Sequence, residues 1–135
     1  MESIYFTFVN LPKSTKLSIA GLLQMIASVD ERNFTKAKAN LVDQHIKGLG
    51  LTVYECNEHI KKYGGIGTLD QIKNLSLPQR DMLIALTHNL VSVDGRPTQT
   101  DLQIISNSFN YIGISDEYFV NTVSKLNTII NGYSK

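Results

Sequence analysis

The feature that most constrains this chain is an internal repeat. Residues 11–32 lie on residues 75–96 at an offset of 64, which matches Leu11 with Leu75, Leu22 with Leu86, Ser28-Val29-Asp30 with Ser92-Val93-Asp94, and Arg32 with Arg96. Taking Phe34 as a one-residue insertion changes the offset to 63. That register pairs Thr35 with Thr98, Leu41 with Ile104, Ile46 with Phe109, and Leu49-Gly50-Leu51-Thr52 with Ile112-Gly113-Ile114-Ser115. Self-similarity at a fixed period marks a duplicated supersecondary unit. The chain therefore reads as one domain over residues 1–135, with a repeat spanning approximately 1–63 and 68–131.

Hydrophobic periodicity says what the unit is made of. Leu17, Ile19, Ala20, Leu22, Leu23, Ile26, Ala27 and Val29 follow Pro12, with Ser14 or Thr15 as the expected cap, and predict a helix apolar on most of its circumference. Met82, Leu83, Ile84, Ala85, Leu86, Leu90, Val91 and Val93 predict its counterpart after Pro78. Phe34, Ala37, Leu41, His45 and Leu49 recur at spacings of three and four, with Lys36, Lys38, Asp43 and Lys47 between them on a polar face. Leu102, Ile105, Phe109 and Ile112 repeat that stripe in the second half.

Thr52 and Glu55 have capping-box spacing for a helix that ends near Tyr63-Gly64-Gly65. A brief helix is expected from Thr68 to Leu75, and a last one after Ser115, with Phe119, Val123, Leu126 and Ile130 as its stripe. Residues 1–11 fit a strand or a short buried helix, and the repeat favours the helix. The expected fold is all-α, seven or eight helices in two halves related by a pseudo-twofold, with the two apolar helices central because neither half alone can cover its own.

Charge and cysteine usage narrow the function. Thirteen basic residues against twelve acidic ones leave a formal charge of +1, and the lysines of the first half lack interleaved aromatics, so no nucleic-acid partner is expected. One cysteine rules out an intrachain disulfide framework, and no basic-then-apolar leader opens the chain, which makes a cytoplasmic location the expectation. The aliphatic run at residues 82–86 is far short of the roughly 20 residues that span a bilayer, so the chain is not expected to cross a membrane.

The residues at the two junctions resemble the TerB-like (tellurite-resistance TerB) helical domain family. That family's pattern is a buried helix ending in Asp-Gly, an acid seven positions after the Asp, a second amphipathic helix and an aliphatic-Gly-aliphatic stop. Val93-Asp94-Gly95, Asp101 and Ile112-Gly113-Ile114 follow it in the second half, and Val29-Asp30 and Leu49-Gly50-Leu51 in the first. The resemblance spans residues 11–123, with two departures. Glu31 stands where Gly would be, and the acidic position falls on Lys38 in the gapped alignment or on Ala37 by plain counting. The resemblance implies a bundle with a stress-response or scaffold role in bacteria, and, for the tellurite branch, divalent-cation binding by acidic residues.

Candidate sites follow from these elements. Asp94 and Asp101, with Asp30 and Glu31 approaching across the pseudo-twofold, are the candidate ligands of a divalent cation, although Ca²⁺ usually takes six to eight oxygens. The plainer reading makes Asp94 a turn or cap residue and Gly95, Gly50 and Gly113 turn formers. Cys56 and His59, three apart, have the spacing of a metal pair or of a nucleophile and base, with no third member nearby. His45 lies on an apolar stripe, and His88 is a polar residue on a central helix that needs a partner or a groove. The expectation is a non-enzymatic interaction or scaffold protein with an unidentified protein partner and no cofactor. The alternative is a divalent-cation sensor acting through the junction acids.

Overall fold

The computed structural model describes residues 4–30, 32 and 34–133, with the side chains of the last helix described as far as Leu126. A 3₁₀ helix at Ile4–Phe8 precedes six α-helices: α1 Lys13–Ser28, α2 Lys36–Gly48, α3 Val53–Asp70, α4 Leu77–Ser92, α5 Gln99–Tyr111 and α6 Asp116–Tyr133. Among the described residues there is no strand. The all-helical expectation holds, and the opening is helical, although as a 3₁₀ turn.

The element lengths repeat. α1 and α4 have 16 residues each, α2 and α5 have 13, and α3 and α6 have 18. Their ends are made alike. Val29 and Val93 close α1 and α4 in nearly the same conformation (φ −61° for both, ψ −33° and −29°). Thr35 and Thr98 cap α2 and α5, each hydroxyl accepting the N–H three residues on, at 3.2 Å from Lys38 and 3.1 Å from Asp101. Past the far ends, Gly50 and Gly113 take φ of 77° and 89°, which L-residues with a Cβ rarely adopt. That turn lets Leu51 N–H reach Ile46 O at 3.0 Å and Ile114 N–H reach Phe109 O at 2.8 Å, the six-to-one bond of a Schellman stop.

Packing follows the apolar faces. α1 lies against α2, α3, α4 and α5, while α4 lies against the 3₁₀ helix, α1, α2 and α6. Ile19, Leu22, Leu23 and Ile26 on α1 and Leu83, Ile84 and Leu90 on α4 are completely sealed from solvent. Burial of such a side chain stabilises the fold by about 1.5–3 kcal/mol, and truncating one to Ala costs about 2–5 kcal/mol. Phe8 from the 3₁₀ helix and Phe109 from α5 close the same core. Tyr5 lies so close over Gly48 that a Cβ there would overlap its ring, which is why α2 ends on glycine.

Several expectations give way. Ser14 and Thr15 do not cap α1, since Pro12 holds that position without a side-chain hydrogen bond. Ser76 caps α4 through a reciprocal capping box with Gln79, so Pro78 falls in the first turn. At the expected break Tyr63-Gly64-Gly65, Gly64 leaves helical geometry (φ 69°, ψ −176°), so α3 is two helical stretches joined across a kink, and the second ends at Asp70 rather than Leu75. Leu102, expected on the buried stripe, is 49% exposed. Lys38, expected on the polar face, is only 3% exposed. The Ile130 side chain lies outside the described residues.

Candidate functional site

The two junctions are expected to gather carboxylates, and among the described residues they do not. Asp101 sits in the first turn of α5, 1% exposed, and is consumed by structure. Its carboxylate accepts the Thr98 N–H at 3.0 Å, completing a capping box, while a helix N-terminus favours negative charge there. The Lys38 ammonium, also buried, lies 3.7 Å from the same oxygen. Lys38 and Asp101 are each the third residue of their helix, so the starts of α2 and α5 meet through opposite charges.

Asp94 is exposed and accepts no hydrogen bond from the following helix, whose cap is Thr98. Gly95 has φ of 145°, and its N–H reaches Ser92 O at 3.4 Å, so the turn role expected of this pair falls to the glycine. Asp30 accepts the Arg32 N–H at 3.2 Å across its own turn. Glu31 lies outside the described residues. A hollow of about 350 Å³, bounded by Val29, Asp30, Arg32 and Thr100, brings the first junction beside the start of α5. Among the described residues no group of three or more His, Cys, Asp or Glu is placed to hold a metal ion. The cation implied by the resemblance does not fit these residues, because the one buried carboxylate already faces a buried ammonium.

Cys56 and His59 are brought to the same side of α3, and both are buried. Burial pushes the Cys56 thiol up to about 11, with the Glu55 charge adding to it, so no thiolate forms near neutral pH. His59 turns to α1 instead, with Nε2 2.9 Å from Ser18 Oγ. Ser18 donates its single proton to Gln71 Oε1 at 3.1 Å, so the hydrogen in the contact with His59 comes from Nε2. An imidazole donating from that atom cannot take the serine proton. The cluster is a clamp between α1 and the end of α3, with the Tyr63 ring tilted against the imidazole, centroids 4.7 Å apart.

His45 is 3% exposed, and its Nδ1 lies 2.8 Å from the Tyr5 hydroxyl while Nε2 has no hydrogen-bond partner. Burial lowers its pKa and holds it neutral. Burial likewise lowers that of His59, reinforced by Lys62 and opposed by Gln71. His88 is partly buried on α4 and makes no hydrogen bond among the described residues.

Sequence reasoning missed Lys38, Ser18 and Gln71. The signal for Lys38 was its equivalence to Asp101 in the repeat; no local pattern announced the serine and glutamine. Compared with protein-family models, curated proteins and solved structures, the chain matches none of them.

Proposed function

We propose that this chain is a non-enzymatic interaction or scaffold protein, a duplicated TerB-like bundle with a role in bacterial stress response. The equal lengths of α1 and α4, α2 and α5, and α3 and α6, at the offsets of the sequence repeat, support the duplicated reading. Residues 38 and 101 are equivalent in that register, and their contact is what an axis between the halves would bring about.

The observation that carries the functional reading is the contrast at the junctions. The carboxylate that could do chemistry there is sealed against Lys38, whereas Val29, Phe34, Val93 and Leu102 are each about two-fifths to one-half exposed. Exposed apolar side chains rimmed by polar ones favour protein contact over catalysis. With Cys56 buried and His59 held in a clamp, that pair does not face solvent as a nucleophile and base.

Affinity capture from the protein's own cells tests this, using the wild type, Val93→Glu, Leu102→Glu and a remote control, Tyr54→Glu. A partner retained by the wild type and the control but lost with the junction variants is the expected result. Capture indifferent to both junction variants would refute the assignment of the surface. The alternative, a divalent-cation sensor, requires the junction acids to exchange Lys38 for the ion. It predicts saturable heat on titration with Ca²⁺, Mg²⁺ or Zn²⁺.

A further inference from the structure

Between α1, α2 and α3 lies a hollow of about 430 Å³, within the range of small-molecule sites and separate from the thiol and histidine clusters. Its walls are apolar: Met25 and Ala27 from α1, Val42 from α2, Ile60 from α3, with Phe34 at the edge. The polar groups facing it are few and are mainly acceptors. Gln24 donates from Nε2 to Asn57 Oδ1 at 3.5 Å, and its Oε1 is buried without a hydrogen-bond partner. Ser28 also lines the hollow, but its hydroxyl donates to Gln24 O at 2.8 Å and has no proton left to give. Asp43 is the only charged residue of the lining, and it makes no ion pair among the described residues. A buried acceptor left unpaired has lost its hydration without compensation, so the hollow is incomplete as it stands.

We propose that this hollow is a binding site for a small amphipathic amine, a molecule with an aromatic or branched apolar body and a terminal ammonium. The body fills the space between Met25, Val42, Ile60 and Phe34. The ammonium supplies the hydrogens that Gln24 Oε1 lacks and sits in the field of the Asp43 carboxylate. A carboxylate-bearing ligand of the same shape is rejected, because it would set a second anion against Asp43 and has no hydrogen for Gln24 Oε1. The site shares Phe34 with the exposed apolar surface of the junctions but none of the residues through which that surface is tested, since Val93 and Leu102 lie in the other half of the chain.

The test is an amide-resolved NMR titration of the full chain with three probes of one shape: 2-phenylethylamine, 2-phenylethanol and 3-phenylpropionate. Saturable shifts at the amides of Gln24, Met25, Val42, Asp43 and Asn57 are expected for the amine, with the carboxylate weaker by roughly tenfold or more, the effect of a hydrogen bond to a charged group. Asp43→Asn, a surface change that leaves the core intact, should bring the amine to within about threefold of the alcohol, since only the charge is removed. Gln24→Met should weaken both the amine and the alcohol, each of which has a hydrogen to give to Gln24 Oε1, while leaving the carboxylate nearly unchanged. Ala39→Leu, which narrows the hollow, should weaken all three, with far-UV circular dichroism showing that the fold persists. The proposal is overturned if no probe gives saturable shifts up to its solubility, if the carboxylate binds as well as the amine, or if the shifts map elsewhere.

Discussion

Replacing Lys38 with Met tests the junction most sharply. The change keeps the length of the side chain and removes its charge, leaving the Asp101 carboxylate 1% exposed with only the Thr98 N–H to stabilise it. Removing one partner of a buried pair costs about 3–5 kcal/mol, and the lower end applies because the 3.7 Å separation is longer than a hydrogen bond. For a chain of this length about 3 kcal/mol corresponds to roughly 10 °C in Tm. Asp101→Asn should cost a similar amount, since it keeps an acceptor for Thr98 but leaves an ammonium sealed in the core. The double variant replaces the pair with neutral groups of similar shape and should return to within about 1 kcal/mol of wild type, giving a coupling of about 5 kcal/mol. Urea unfolding followed by far-UV circular dichroism measures all four proteins, with an unchanged slope showing that stability alone has moved. Two single variants that each cost under about 1 kcal/mol and add independently would refute the reasoning, because Lys38 would then be reaching water.

Three further outcomes follow from the core. Stability should fall as pH drops below about 6.5, because burial lowers the pKa values of His45 and His59, so the unfolded chain binds protons first. The loss levels off at the depressed folded values, His59→Gln should shrink it, and a stability flat between about pH 7 and pH 5 would count against both assignments. Cys56 in the native protein should resist thiol reagents at about pH 8 and react fully in urea, and rapid native labelling would contradict its burial. Gly48→Ala should displace the Tyr5 ring and destabilise by about 1–3 kcal/mol, with a changed near-UV spectrum; an unperturbed spectrum and stability would mean that Tyr5 does not pack there.

Much of the fold was legible because the repeat carried information that no single window holds. The 3.6 period found each helix, and the Ser-Val-Asp and aliphatic-Gly-aliphatic matches fixed where equivalent helices begin and end. The helix count was less secure, since Gly64 interrupts α3 with a single non-helical residue, after which helical geometry resumes to Asp70. Lys38 was read as a solvated residue because a lysine among polar neighbours usually is; its partner lies 63 positions away, and only the repeat register pairs them. Leu102 failed in the opposite sense, since it keeps the apolar spacing but faces the groove between α5 and α6 that it shares with Phe119 and Val120. Ser18 and Gln71 each read as ordinary polar residues, and their bond to His59 exists only once α1 and α3 have packed. Asp94 stood out in sequence for its Gly neighbour, yet the turn uses the glycine and leaves the carboxylate in solvent.

In the proposed reading Lys38 closes the buried junction, and function resides in surfaces rather than in metal chemistry. Calorimetric titration of the wild-type chain with Ca²⁺, Mg²⁺ and Zn²⁺ to millimolar concentration tests it directly. No saturable heat is the predicted result. Micromolar binding that Asp101→Asn abolishes would contradict the account and establish the cation sensor in its place.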